Sequence, residues 1–166
     1  MTARDWVARL GLVPHPEGGY FKEIYRAGES IPEAALPPRF GGPRAFAASI
    51  YFLLEAGQVS RLHRLKADEV WHSYDGAPLL LHILEADGRD RKVLLGRDAA
   101  AGQALTAAVP AGRWFGAELA GAGGFGLVGC TTAPAFEYAD FELGRREDLL
   151  RLFPALSDLI IRLTSE

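Results

Sequence analysis

Gly57–Gly76, GQVSRLHRLKADEVWHSYDG, is the stretch whose reading decides the fold. It carries two of the four histidines, a carboxylate six residues beyond the first of them, and a glycine at each end. The spacing runs Gly57, five residues, His63, one residue, Leu65, three residues, Glu69, six residues, Gly76. Side chains two apart on a strand face the same way, so His63 and Leu65 share a face. A short turn then brings Glu69 back on the paired strand, with Trp71 on the same side. Period 2 thus predicts a hairpin that turns His63, Leu65, Glu69 and Trp71 towards one interior. His72 lies an odd number of residues from Glu69 and faces the other way.

Short strands extend from this hairpin in both directions. Upstream, Tyr20–Arg26 and the apolar run Ala45–Leu54 read as strands by their aromatic and β-branched content. Downstream, segments 78–85, 91–95, 103–109, 113–118, 125–131 and 136–143 follow, separated by Gly and Pro turns, with Asp87-Gly88 as the clearest hairpin signal. Many short strands at such intervals predict an all-β sandwich or barrel, with its core over about residues 20–143. Thr2 and Asp5 form a capping box ahead of a short helix ending at Gly11. Leu156, Leu159, Ile160 and Leu163 fall at helical spacing, and Pro154 divides the tail into two short helices. Residues 27–43, rich in proline and glycine, form an irregular surface loop.

At 166 residues, 49% hydrophobic and 23% charged, the chain has the composition of one globular domain spanning 1–166. The net charge of −3 and the absence of any Lys/Arg run argue against nucleic acid as a partner. No apolar stretch approaches the roughly 20 residues of a membrane span, and MTARDWVARLG lacks an apolar leader core. The single Cys130 permits no internal disulfide, and a cytoplasmic location is expected.

The candidate chemistry centres on His63 and Glu69. A histidine held in one tautomer by a carboxylate can remove a proton next to a carbonyl. Glu69 sits between apolar residues and therefore calls for a partner, His63 or Arg61. On alternation Arg61 shares the His63 face and is the best-placed cation for a ligand. Trp71 and Trp114 are expected to wall the pocket, together with Phe115. The turn His15-Pro16-Glu17-Gly18-Gly19 is expected either to close one end of the pocket, bringing Glu17 and Tyr20 near His63, or to act as a plain connector. Tyr20, Tyr74 and Tyr138 are the available phenols for an acid. His15 reads as a loop contact, His72 and His82 as surface or interface residues, and Cys130 as a buried hydrophobe.

Five ordered blocks carry a resemblance to a known family. They are LVPHPEGGYFKEIYR, SIYFLL, HRLKADEVWHSYDG, VPAGRWFGA and LVGCTTAPAFEYADFELGRREDLL, covering about residues 12–150. The chain resembles a small uncharacterised cupin family with an HPEGGYY-type opening. The hairpin is similar to the metal-binding cupin motif G-x5-H-x-H-x3/4-E-x6-G, with Leu65 at the second histidine. Val109-Pro110-Ala111-Gly112 matches the turn of a second motif, whose histidine and asparagine positions hold Phe115 and Leu119. The resemblance implies a double-stranded β-helix, a jelly roll like that of dTDP-sugar epimerases, usually dimeric. With two of four ligand positions kept, no metal and no other cofactor is expected. The chain is expected to bind a small polar metabolite in the barrel. It acts there as a metal-independent epimerase or isomerase on a sugar-like substrate, as a non-catalytic binding or sensing module, or as a metal enzyme with a reduced ligand set.

Overall fold

The computed structural model describes residues 1–165. Helix α1 (Ala3–Leu10) begins at the expected capping box, in which the Asp5 amide donates to Thr2 Oγ1 and the Thr2 amide to Asp5 Oδ2. The strands are β1 (Val13–Pro14), β2 (Tyr20–Arg26), β3 (Ser30–Ile31), β4 (Arg44–Ala45), β5 (Ala48–Glu55), β6 (Val59–Leu65) and β7 (Asp68–Gly76). After them come β8 (Leu79–Leu84), β9 (Asp90–Leu95), β10 (Thr106–Val109), β11 (Trp114–Leu119), β12 (Phe125–Ala133) and β13 (Phe141–Leu143). The chain ends in α2 (Arg146–Leu152) and α3 (Ser157–Arg162), divided at Pro154.

Two antiparallel sheets face each other, ordered β1-β2-β5-β12-β7-β10 and β13-β6-β11-β8-β9. This is the all-β jelly roll expected from the strand spacing. Phe52, Trp71 and Cys130 from the first sheet meet Leu81, Ile83 and Phe115 from the second in the shared interior. Both outer faces are also partly covered. Helix α1 lies over the first sheet, where Leu12, Leu53 and Leu127 are buried against Trp6 and Val7. Helices α2 and α3 bury Leu149, Ile160 and Leu163 against Leu62, Leu84 and Trp114 of the second. Full burial of each such side chain is worth roughly 1.5–3 kcal/mol, enough to hold short helices that would not persist alone.

Three strand expectations change. The strands of the expected Gly57–Gly76 hairpin do not pair, since β6 lies in the second sheet and β7 in the first, so His63 and Glu69 face the interior from opposite sheets. The run Ala45–Leu54 is interrupted, so that Arg44–Ala45 pairs with Ser30–Ile31 in a separate ribbon. Of segment 136–143 only Phe141–Leu143 is strand, preceded by a single 3-10 turn at Tyr138–Asp140. That turn places Asp140 in a buried two-point ion pair with Arg44 (2.6 and 2.7 Å), which a regular strand would not present.

Candidate functional site

Strand β6 contains the feature on which the site depends. Its register against β11 shifts, with Phe115 opposite His63 and Ala117 opposite Ser60, so three residues of β6 span two of β11. This β-bulge reverses the inside–outside phase between Ser60 and His63. The His15–Gly19 turn docks into it. The Arg61 amide donates to the Glu17 carbonyl (2.9 Å), and the Arg61 guanidinium donates to the carbonyls of Glu17 and Pro16. Gly18 and Gly19 have φ of 115° and 69°. A Cβ on Gly18 would stand 2.1 Å from the Val59 carbonyl oxygen, and one on Gly19 2.6 Å from that of Leu53. Only glycine permits both the conformation and the approach.

The turn thereby inserts Glu17 into the barrel. Its Oε1 accepts from the Ser60 hydroxyl (2.7 Å) and its Oε2 lies 3.2 Å from His63 Nε2. His63 Nδ1 is 2.7 Å from the Arg61 carbonyl, which can only accept, so the neutral ring carries its proton there and its lone pair on Nε2. His15 Nδ1 accepts from the Glu17 amide (3.2 Å) and lies 3.6 Å from Glu17 Oε2. Glu69, on β7, takes the Trp71 indole N–H on Oε2 (2.7 Å).

These groups line one cavity of about 300 Å³ between the sheets. Its wall is largely apolar, with Phe21, Ile50, Phe52, Leu65, Trp71 and Phe141 among the lining residues. Towards the mouth stand Glu23, Arg26, Glu137 and Tyr138. Burial governs the electrostatics. Desolvation pushes the Glu69 carboxyl up to about 7, with the nearby Glu17 adding to the rise and His63 and the Trp71 indole opposing it. It raises Glu17 as well, against the pull of His15, Ser60 and Arg61. Desolvation lowers both His63 and His15, so their rings favour the neutral form. The Cys130 thiol is held well above its ordinary value by burial and by the neighbouring Glu69 and Glu17, which leaves it a weak nucleophile.

The structure brings together four of the predicted residues and moves three away. His63, Glu69, Glu17 and Trp71 line the cavity, with Leu65 beside them. Arg61 does not. The bulge takes it out of phase with His63, and it holds the docked turn and the Ser165 hydroxyl instead. Tyr20 pairs with Leu53 and packs on the outer face under α1, leaving Phe21 inside. Trp114 also faces outwards, packed under the C-terminal helices with the Arg64 guanidinium 4.6 Å over its ring, while Phe115 faces in against His63. Among the described residues no tyrosine hydroxyl is hydrogen-bonded to His63, whose ring nitrogens face the Arg61 carbonyl and Glu17. Tyr74 packs on Tyr51 and Gly129, and Tyr138 sits at the mouth, 58% exposed. His82 is not a surface residue, because α3 covers its face of the sheet. It is 1% exposed, between Asp90 (2.8 Å) and Glu118 (3.3 Å).

His15 and Thr132 were missed. His15 enters the site only because its turn docks 44 residues away, which no local pattern announces. Thr132 follows from alternation with Cys130 along β12, a signal present once that strand's inner face is known.

The metal sites of this fold use clustered His and carboxylate donors. Leu65 and Phe115 hold two of the donor positions, and Glu17 Oε1, Glu17 Oε2 and Glu69 Oε2 are engaged with Ser60, His63 and Trp71. Among the described residues no three His, Cys, Asp or Glu side chains form a group that could hold a metal ion. The donor set does not fit a transition metal. Among them, too, no helix is long and apolar enough to cross a membrane.

Comparison with solved structures gives close likenesses. A hypothetical protein from Leishmania major is 35% identical, with a TM-score of 0.90 and 100% of each chain covered. A protein from Shewanella oneidensis is 36% identical at a TM-score of 0.88, covering 99% of this chain and 98% of that one. Oxalate decarboxylase from Bacillus subtilis matches at 16% identity and a TM-score of 0.55, over 91% of this chain and 36% of that one, a likeness of fold alone. None of the curated proteins compared matches. The family described as Cupin superfamily (DUF985) matches residues 4–144, and the chain belongs to it.

Proposed function

We propose that the chain binds a small metabolite in the barrel and moves a proton on it by general acid–base chemistry, as an isomerase or epimerase does. The observation that carries this reading is the burial of Glu17, His63 and Glu69 around one small cavity, with the His63 tautomer set by the Arg61 carbonyl. Glu17 and His63 lie 3.2 Å apart and act as one unit. Desolvation favours their uncharged state, in which one proton lies between Oε2 and Nε2. The unit without that proton is a base whose conjugate acid is electrically neutral. Glu69, held near 7, is the matching acid at neutral pH. In the forward step a C–H proton next to a carbonyl passes to the Glu17–His63 unit while Glu69 gives its proton to the substrate. The unit then gives its proton to the neighbouring carbon while Glu69 takes one back from the adjacent hydroxyl, which isomerises the substrate, restores both groups and balances protons and charge.

A sugar nucleotide is a poor fit. About 300 Å³ stands at the lower end of small-molecule sites. The cationic rim such a ligand needs is missing, since Arg26 is bound to Glu23 and Glu137, Arg64 to Glu142, and Lys66 lies beside Asp140. The epimerase likeness is therefore retained for the class of proton transfer and not for the substrate.

The test is NMR-monitored exchange of C–H protons in D₂O across a panel of small carbonyl metabolites that raise the melting temperature. Exchange that falls by about 10²-fold or more in both His63→Gln and Glu69→Gln is expected. Metabolites that bind but never exchange would replace the enzyme with a binding or sensing module.

A further inference from the structure

We propose that the cavity takes a small primary amine in its ammonium form. The –NH₃⁺ group sits among Glu17, Glu69 and Thr132, and a short apolar body lies against the aromatic wall. The inference rests on the reading of this cavity as the functional site and adds the chemical class of what enters it.

Charge is the first observation. Four carboxyl groups line the cavity, those of Glu17, Glu23, Glu69 and Glu137, against the single guanidinium of Arg26. Arg26 is already committed. It donates to Glu23 at 3.2 and 2.8 Å, to Glu137 at 2.9 Å and to the Phe136 carbonyl at 3.0 Å. An anion entering here would pass a rim of excess negative charge and reach buried carboxyls with no free cation beside it. A neutral ligand would bring no counter-charge to whichever of these carboxyls is ionised.

The second observation is independent. Thr132 is buried, lines the same cavity, and its Oγ1 has no hydrogen-bond partner. Thr132 stands directly opposite Glu69 in the β12–β7 register, so hydroxyl and carboxyl belong to one edge of the pocket. A buried hydroxyl without a partner is costly and points to a group supplied from outside. An ammonium brings three N–H donors and one positive charge, which suits Thr132, Glu69 and Glu17 together. A quaternary ammonium brings the charge without the donors. The wall of Phe21, Phe52, Trp71 and Phe141 then takes the carbon chain, and aromatic rings near a cation add to its hold. The raised titration of Glu17 and Glu69 is consistent with carboxyls waiting for a counter-ion.

The probes are butylammonium, 1-butanol, butyrate and tetramethylammonium, titrated into the full chain at pH 7.5 by ligand-observed NMR and thermal shift. Butylammonium is expected to bind at least about tenfold more tightly than each of the others. Glu69→Gln should weaken it at least about tenfold, and Thr132→Val several-fold, with 1-butanol unaffected. If Glu69→Gln does not fold, Thr132→Val decides. Binding of 1-butanol or butyrate as tight as that of butylammonium would overturn the assignment. So would a failure of every primary amine from methyl- to hexylammonium to bind at tens of millimolar. Ammonium binding without C–H exchange on any amine removes the acid–base reading and keeps this one. Exchange confined to neutral or anionic carbonyl compounds does the reverse.

Discussion

Replacing Glu69 by Gln should make the protein more stable above neutral pH, and the size of the gain follows from its burial. In the folded chain the carboxyl is held at about 7, against 4.5 for the free group. Between these values the folded state keeps a proton that the unfolded state has released. Stability from this group is therefore fully present below about pH 4.5 and lost as pH rises through 7. A displacement of that size corresponds to about 3 kcal/mol. Gln keeps the shape and an acceptor for the Trp71 indole but cannot ionise, so the variant escapes the loss. His63 and His15, both lowered, act in the opposite sense, and Glu17 acts in the same sense. All three are present in both proteins, so the difference between the two curves reports residue 69 together with its coupling to His63 and Glu17. Urea denaturation at steps from pH 5 to 8 should show near-equal stability at pH 5 and a variant about 3 kcal/mol ahead at pH 8. In melting temperature this is roughly 6–12 °C for a chain of this length. Parallel curves would refute the view that a desolvated carboxyl sits at the floor of the barrel.

Gly19→Ala should cost more than about 3 kcal/mol, because it combines positive φ with backbone contact. A melting temperature within a few degrees of the parent would contradict this. Elemental analysis of the purified protein should find well under one transition metal per chain, and stoichiometric metal lost in His63→Ala would show that other donors complete a site. We also expect a homodimer, measured by light scattering at micromolar concentration. Its basis is the edge of β2 beyond its two-residue pairing with β1, where Ile24 and Tyr25 are exposed. The apolar strand β5 contributes no edge, since β2 and β12 flank it. A monomer that is unchanged by Ile24→Lys would dispose of the idea.

The shared inward face of His63, Leu65, Glu69 and Trp71 was legible because β6 and β7 are regular from His63 to Ser73, and period 2 holds there even though the two strands lie in opposite sheets and do not pair as a hairpin. It failed for Arg61, two residues away, because the bulge lies between them. At two aromatic neighbours, Tyr20-Phe21 and Trp114-Phe115, alternation says only that one faces in. Both outer faces of this barrel are covered by helices, so an aromatic residue is equally at home on either side. The choice is made by register, Phe21 opposite Phe52 and Phe115 opposite His63, and register is a long-range property. His82 was misread for the same reason, since alternation predicts exposure only where the outer face is wet.

The bulge and the docked turn are two halves of one construction, and neither makes a site alone. Without the extra residue in β6, Ser60 would not share an inner face with His63, and Glu17 would lose its hydroxyl donor. Without Gly18 and Gly19 the turn could not come close enough for the Glu17 carbonyl to take the Arg61 amide. The Arg61 carbonyl meanwhile fixes the proton on His63 Nδ1, so one residue seats Glu17 through its N–H and His63 through its C=O. That links the titration of the Glu17–His63 unit to the seating of the N-terminal turn. Loosening the turn lets water reach Glu17, lowers the desolvation that holds its proton, and turns a base whose conjugate acid is neutral into an ordinary surface carboxylate. On the proposed reading the N-terminal turn is thus part of the chemistry, and it does this by placing Glu17 and His15 in the cavity between the sheets.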